Sequence, residues 1–517
     1  MTISNEFWQY YQVTEKDLED IYNFLLETES PLDKFEISRF LIETTIADQE
    51  KFLLSEASKA GEHYLPENTY SIGDKLVFPA KGKLKGSVKS VRNGTNPDYP
   101  DLQVIDVELI TGERILFAAN LKDHKLNNPQ PESSAELLNV SYVFDKFGSI
   151  LADKIADACA ENDDLVCIAR RYFPRALLFD ISIGHLNLCE AVLEMTGGGP
   201  LSTYDLIDQI ELPISDNKKL TEFSLNYALA EDGRFDEVGP SGITLWFLKR
   251  LEPQEVQNPP FTLLFNGTMP EDSASIPGLI ELNGLVDDEL ELEQPINSSD
   301  EVTVSLSYPH WRAGTLPLTS RNKDIFPTAY ETPRVKFIFC DANNQDKFPG
   351  WVVRPSKYVF GLKGWYEQQG VIPGSYITIR KSPNDGEVLV QTSKSKSSRD
   401  WIRTVLVGAD GGIVFALLKQ VIACKYDDRM AIMITDVEGI DAFWNSGKSR
   451  QQIDKVILTM MRELGKLNPQ NQIHAQELYS AVNLIKRTPP SVILSVLHSQ
   501  PWAKHLGDLY FTLEENS

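Results

Sequence analysis

Lysine and arginine are missing from residues 254–304, a stretch that nevertheless carries eleven acids. This gap is the extreme case of a general shortage, since 50 cations face 74 acids in 517 residues, a formal charge of -24. Such a surface repels polyanions at long range, so a nucleic-acid contact has to be local, within a Debye length of about 8 Å at physiological salt. Cysteine is also scarce. The five present (Cys159, Cys167, Cys189, Cys340, Cys424) are odd in number, irregularly spaced and without a C-x-x-C pair. That pattern argues against disulfide staples and zinc ribbons and for reduced, mostly buried thiols. No apolar run approaches the ~20 residues that span a bilayer, and residues 1–7 have neither a charged n-region nor an apolar h-region. The expectation is a cytoplasmic protein with no membrane partner, in which the N-x-S/T sequons at Asn93, Asn139, Asn266 and Asn297 carry no sugar.

Motifs for catalysis and metal binding are missing as well. Seven histidines (His63, His124, His185, His310, His474, His498, His505) form no H-E-x-x-H and lie at no ligand spacing from cysteine or carboxylate. Gly447-Lys448-Ser449 lacks the earlier glycine of a phosphate loop, because Ala442 stands at that position. Asp98, Asp106 and Glu108 are loosely spaced like a metal-nuclease core, but Ile110 replaces the lysine such a core needs. There is no G-x-S-x-G elbow. The chain therefore reads as non-enzymatic, with no cofactor and no metal.

What is present is a reversal of charge. Residues 305–403 hold fifteen cations against eight acids, a local +7. Arginine suits bidentate contact with guanine edges, and lysine suits phosphate. A charge run is also what a solvated strand face looks like, and Arg312, Arg334 and Arg380 serve equally well to answer the acids of 254–304 within the molecule.

Length predicts roughly three or four domains, and the periodicities place their boundaries. Residues 1–62 are helical and acidic. From Tyr70 the pattern alternates in short strands separated by Gly, Pro and Asn turns, predicting a small barrel over 63–130. Helices return over 131–253 and end in a hairpin that closes on Trp246. Residues 254–301 read as an acidic linker. Residues 302–445 read as a β-barrel with its following hairpin, 302–392 being strands throughout (302–307, 335–340, 350–353, 358–360, 376–380 and 388–391), and 446–517 repeat the helix-then-wing order of 131–253. The fold class is α+β and multidomain.

Three segments resemble known families. The order Leu225-Asn226, Asp232-Gly233-Arg234-Phe235 and Trp246-Phe247-Leu248 resembles the HARE-type winged-helix domains, including that of the delta subunit of bacterial RNA polymerase. Residues 446–517 share its grammar, and 1–62 read as a degenerate copy. The Val88-Lys89-Ser90-Val91 strand after Lys85-Gly86 is similar to SH3-like KOW and Tudor barrels. Residues 302–392, with Phe348-Pro349-Gly350-Trp351 and Gly361-Leu362-Lys363-Gly364-Trp365, resemble the B3-type DNA-binding pseudobarrel. In that family two loops grip the major groove. They fall here on Thr319–Lys323 and Arg354–Lys357, although Asp324 abuts the first.

These resemblances imply a bacterial-type, transcription-associated protein that contacts duplex DNA through Arg321, Lys323, Arg354, Lys357 and Lys363, with Lys81, Lys83, Lys85, Lys89 and Arg92 as a second patch. The alternative is an adaptor whose acidic winged helices dock on RNA polymerase or another basic protein. A third reading, the recognition half of a nuclease system, has no catalytic residues to support it. On the winged-helix reading Phe235 and Trp246 are expected to be buried, and Arg234 to pair with Asp232 or Asp236 or to face a partner.

Overall fold

The computed structural model describes residues 4–60, 62–78, 84–122, 124, 127, 136–213, 217–240, 242–291, 299–408, 412–445 and 451–514. Lys81, Lys83 and the Gly447-Lys448-Ser449 triplet lie outside them. The fold is mixed α+β, with several small sheets and one curled half-barrel. Among the described residues no helix is long and apolar enough to cross a membrane. The chain divides into two compact units, Met1–Phe179 with Ser215–Phe223, and Asp180–Ile214 with Ser224–Ser517.

One local arrangement occurs three times. The chain runs helix, two-residue strand, helix, helix and hairpin, and each time the short strand pairs with the second hairpin strand. The short strands are Leu32–Asp33, Leu201–Ser202 and Ile473–His474. In each, an aliphatic residue opposes a buried aromatic: Leu32 with Tyr172, Leu201 with Trp246, Ile473 with Phe511. The next residue caps the following helix by a reciprocal bond with an acid three positions on. Asp33 accepts from the Glu36 N–H at 2.9 Å and donates its own N–H to the Glu36 carboxylate at 2.8 Å. Ser202 with Asp205 and His474 with Glu477 do the same. Each capping box satisfies donors that the helix start would otherwise leave open. Strand end and helix start are thus fixed by the same residue.

The first copy takes its third helix (Val140–Ala160) and its hairpin (Leu165–Ile168, Arg171–Pro174) from beyond the first barrel. Val143, Phe147, Leu151, Ile155 and Tyr172 share one core with Ile21, Leu25, Leu41 and Ile46. This corrects the boundary read from periodicity, which ended the first domain at 62 and gave 140–174 to the helical domain 131–253. A five-stranded sheet, Glu62–His63 through Arg114–Ala119 in sequential order, is inserted between the second and third helices. Its core is Tyr64, Tyr70, Leu76, Phe78, Val88, Ile105 and Val107.

In the second unit the half-barrel orders seven strands as Glu301–Ser305, Tyr376–Lys381, Glu387–Thr392, Arg334–Asp341, Lys347–Val353, Tyr358–Phe360 and Thr315–Pro317. Six of these match the strand segments read from alternation. The short helices Tyr308–Ala313 and Lys363–Gln369 contribute Tyr308, Trp365 and Tyr366 as buried side chains. A long hairpin follows, Lys394–Val407 with Ile413–Cys424.

Residues 254–291 are not a solvated linker. The helix Leu279–Val286 buries Leu279, Leu282 and Val286 in the core of the third copy, with Tyr479, Ile493 and Leu494. Thr262 Oγ1 donates to the Pro309 carbonyl at 3.1 Å. An acidic segment of this length contains enough leucine and valine to pack, and charge counting alone overlooks them.

Phe235 and Trp246 are both buried, and Arg234 pairs with Asp232 at 2.7 Å and Glu190 at 2.6 Å. The second copy is joined to the half-barrel by a shared core of Val238, Phe247, Trp351, Val353 and Tyr358, and by the Lys336 N–H bonding the Val238 carbonyl at 2.9 Å. Phe235→Ala is therefore expected to cost about 3–5 kcal/mol. Hydrogen exchange should show lost protection both at 235–248 and in the adjoining strand Arg334–Asp341. Unchanged protection at either place contradicts this linkage.

Candidate nucleic-acid interface

The two loops expected to read DNA are adjacent and rigid. Asn322 braces the first by accepting the Thr319 N–H at 2.9 Å and donating to the Pro317 carbonyl at 2.9 Å. In the second, Arg354–Ser356 forms a single 3-10 turn and Lys357 adopts a left-handed conformation, φ 53°. The Leu318 N–H bonds the Lys357 carbonyl at 2.9 Å and ties one loop to the other. The structure thus brings Lys323, Arg354 and Lys357 to one cavity of about 200 Å³.

The opposite wall of that cavity is acidic, formed by Asp287, Asp288, Glu289 and Glu291. Arg321 is 3.4 Å from Asp287, which also accepts from the Thr319 hydroxyl at 3.2 Å. Arg354 turns inward and donates to the carbonyls of Phe326 at 3.2 Å and Pro327 at 3.1 Å. A phosphate approaching this cavity meets carboxylates behind the cations. Lys363 is exposed at the start of its own helix and does not line the cavity. In the first unit Lys85 and Arg92 are exposed, while Lys89 is held by Glu108 at 2.9 Å.

Five further cations of the island pair with carboxylates of the second unit. Arg312 pairs with Asp441 at 2.5 Å, Arg380 with Glu301 at 2.9 Å, Arg403 with Glu477 at 3.0 Å, and Lys347 with Glu387. Arg334 reaches Asp236 at 3.0 Å and Glu252 at 3.5 Å. Of the three cations expected to answer the acids of 254–304, only Arg380 does so, through Glu301; Arg312 and Arg334 pair with acids outside that segment.

Behind the acidic wall lies a buried network that motif reading did not find. Arg487, 1% exposed, grips Asp288 through two bonds of 2.6 and 2.8 Å and Glu289 at 2.9 Å. The second oxygen of Glu289 bonds His310 Nε2 at 3.0 Å, and His310 Nδ1 bonds the Thr315 hydroxyl at 2.9 Å. Tyr479 donates to Asp288 at 2.7 Å, and the Ser491 N–H donates to Glu291 at 2.6 Å. Burial alone would raise the Glu289 carboxyl, but Arg487 and His310 outweigh it and hold the group well below the usual carboxylate range. The one signal in the sequence was the missing lysine and arginine: acids with no local counter-ion need distant ones.

A second buried acid behaves oppositely. Glu252 lies at the junction of the second copy and the half-barrel, its carboxyl fully buried beside Asp236, with Arg334 and with Lys249 across Asp236. Burial first, then the Asp236 charge, push Glu252 up to about 8. Among the described residues neither of its buried carboxyl oxygens has a hydrogen-bond partner.

Among the described residues no cluster of His, Cys, Asp and Glu has metal-holding geometry. Comparison with protein-family models, with curated proteins and with solved structures gives no match.

The two acids predict separable effects. A carboxyl whose folded value is raised binds its proton more tightly when folded, so stability is greatest below the unfolded value near 4.5 and is lost as pH rises toward 8. The slope attributable to Glu252 is about 1.4 kcal/mol per pH unit in that window. Glu252→Gln should flatten it in chemical denaturation followed at several pH values, and an unaltered slope contradicts the assignment. Arg487→Met strands two buried carboxylates and should cost about 3–5 kcal/mol. The triple change with Asp288→Leu and Glu289→Met should recover most of that loss.

Proposed function

We propose that this chain is a non-enzymatic docking protein that engages a basic protein surface, with bacterial RNA polymerase as the leading candidate. In this reading the thrice-repeated helix–strand–helix–helix–hairpin unit is a winged helix, the inserted five-stranded sheet an SH3-like barrel and the half-barrel a B3-like scaffold. The observation that carries it is the pairing, among the described residues, of six of the island's fifteen cations with carboxylates of the chain itself. Winged helices dock proteins as readily as they read DNA, and the fold alone does not choose between these uses. An excess of 24 negative charges steers the whole molecule toward cationic surfaces and away from duplexes.

The DNA reading draws on one specific observation, the gathering of Lys323, Arg354 and Lys357 at a single cavity. The two readings separate in one titration of the full-length protein. At about 50 mM salt the expected result is no saturable binding to duplex DNA and salt-sensitive binding to purified RNA polymerase core. Tight duplex binding that weakens steeply with salt and is lost in the Lys323→Glu, Lys357→Glu variant overturns the docking assignment and restores the DNA one.

A further inference from the structure

The long hairpin carries a group of exposed apolar side chains. Trp401 is 65% exposed, Val421 57% and Leu417 44%. The register pairs Trp401 with Lys419, Arg403 with Leu417 and Arg399 with Val421, which puts all three apolar side chains on the same face. Lys419 stands over the Trp401 ring, 5.4 Å from its centroid. This face forms one wall of a groove of about 380 Å³, and Leu464, Leu467 and Pro469 of the third copy form the other. Contiguous exposed apolar surface beside a concavity marks an interaction site more often than chance exposure does.

The groove's lining is mixed, the apolar Trp401, Leu417 and Leu464 standing with the polar Gln472, Asp428 and Glu477. Arg403, which lines it, is satisfied by Glu477 at 3.0 Å and by the Asp428 carbonyl at 2.8 Å, so it offers no charge to an anion. Asp428 is exposed on the rim and, among the described residues, makes no ion pair. Glu477 has 30% of its side chain open. An occupant must therefore present an apolar side chain to Trp401, Leu417 and Leu464 and a cation to Asp428.

We infer that this groove is a docking site for a short peptide segment with an aromatic or branched apolar anchor next to lysine or arginine. The inference rests on the docking reading above and assigns it a place. Trp401 is the anchor contact, and Asp428 selects the adjacent cation.

A displayed library of linear peptides, selected on the immobilised full-length protein, tests it while the partner is still unidentified. Enriched peptides are expected to carry an apolar residue within a few positions of lysine or arginine. Their synthetic forms should bind Trp401→Ser and Leu417→Ser at least about tenfold more weakly, as for a buried aromatic contact, and should lose selectivity for cationic flanks in Asp428→Lys. All three residues are exposed, and matching melting curves confirm that the variants fold. Should Trp401→Ser melt early, Trp401→Lys and Leu417→Ser carry the test. Absence of enriched peptides, acidic consensus flanks, or binding indifferent to both Trp401 and Leu417 overturns the proposal. So does a concentration-dependent dimer that disappears in Trp401→Ser, because the groove then holds a second copy of the chain. Polymerase binding untouched by these variants removes the groove and leaves the docking function standing. Peptide binding without polymerase binding removes the polymerase alone.

Discussion

Two carboxylates sharing one guanidinium set the architecture of the second unit. Burying Asp288 and Glu289 costs several kcal/mol per ion before any compensation. Only the fork of Arg487, with Tyr479 and His310 taking the remaining lone pairs, makes the site tolerable. These partners come from three stretches of chain: 287–291, 310–315 and 479–491. None can leave without exposing the others to an uncompensated charge. The helix Leu279–Val286 is consequently held in the core of the third copy, and the end of the half-barrel is fixed beside the acidic wall. Residues that look like a linker and a separate terminal domain are one folded body.

The same constraint explains why the candidate DNA loops face acid. Once His310 and Thr315 are committed to Glu289, the strand Thr315–Pro317 runs directly into the loop 319–323, and Asp287 is carried to within reach of Arg321. The loops are basic because they complete the far side of this electrostatic contact. A duplex would have to compete with carboxylates that are held in place by the fold and already desolvated. Asp287 itself is raised by burial despite Arg321 and Thr319, which marks how little solvent reaches that wall.

Local features of the fold were legible in the sequence. Alternation located six of the seven half-barrel strands, and the order Asp-Gly-Arg-Phe then Trp-Phe-Leu placed Phe235 and Trp246 in a core. The grammar of the third copy was visible because its helices and wing follow one another in 446–517 without an insertion. The first copy was legible only as a degenerate one in 1–62, because a whole sheet separates its second helix from its third and no periodicity spans an insertion. The charge network was hidden for a different reason. An ion pair between residues 288 and 487 leaves no local pattern, since its partners are chosen by tertiary proximity alone.

Charge counts along the chain therefore measure something different from charge on the surface. The +7 of residues 305–403 and the deficit of 254–304 look like two surfaces of opposite sign. Folded, part of each neutralises the other or a neighbour: Arg321 meets Asp287, Arg380 meets Glu301, Arg334 meets Asp236 and Arg403 meets Glu477. What remains is a net acidic charge, and the hairpin adds exposed apolar side chains to it. An acidic field attracts cationic proteins at a distance but discriminates poorly among them, whereas an apolar groove discriminates but has no reach. On the docking reading proposed above, the two together supply reach and selectivity toward a basic partner.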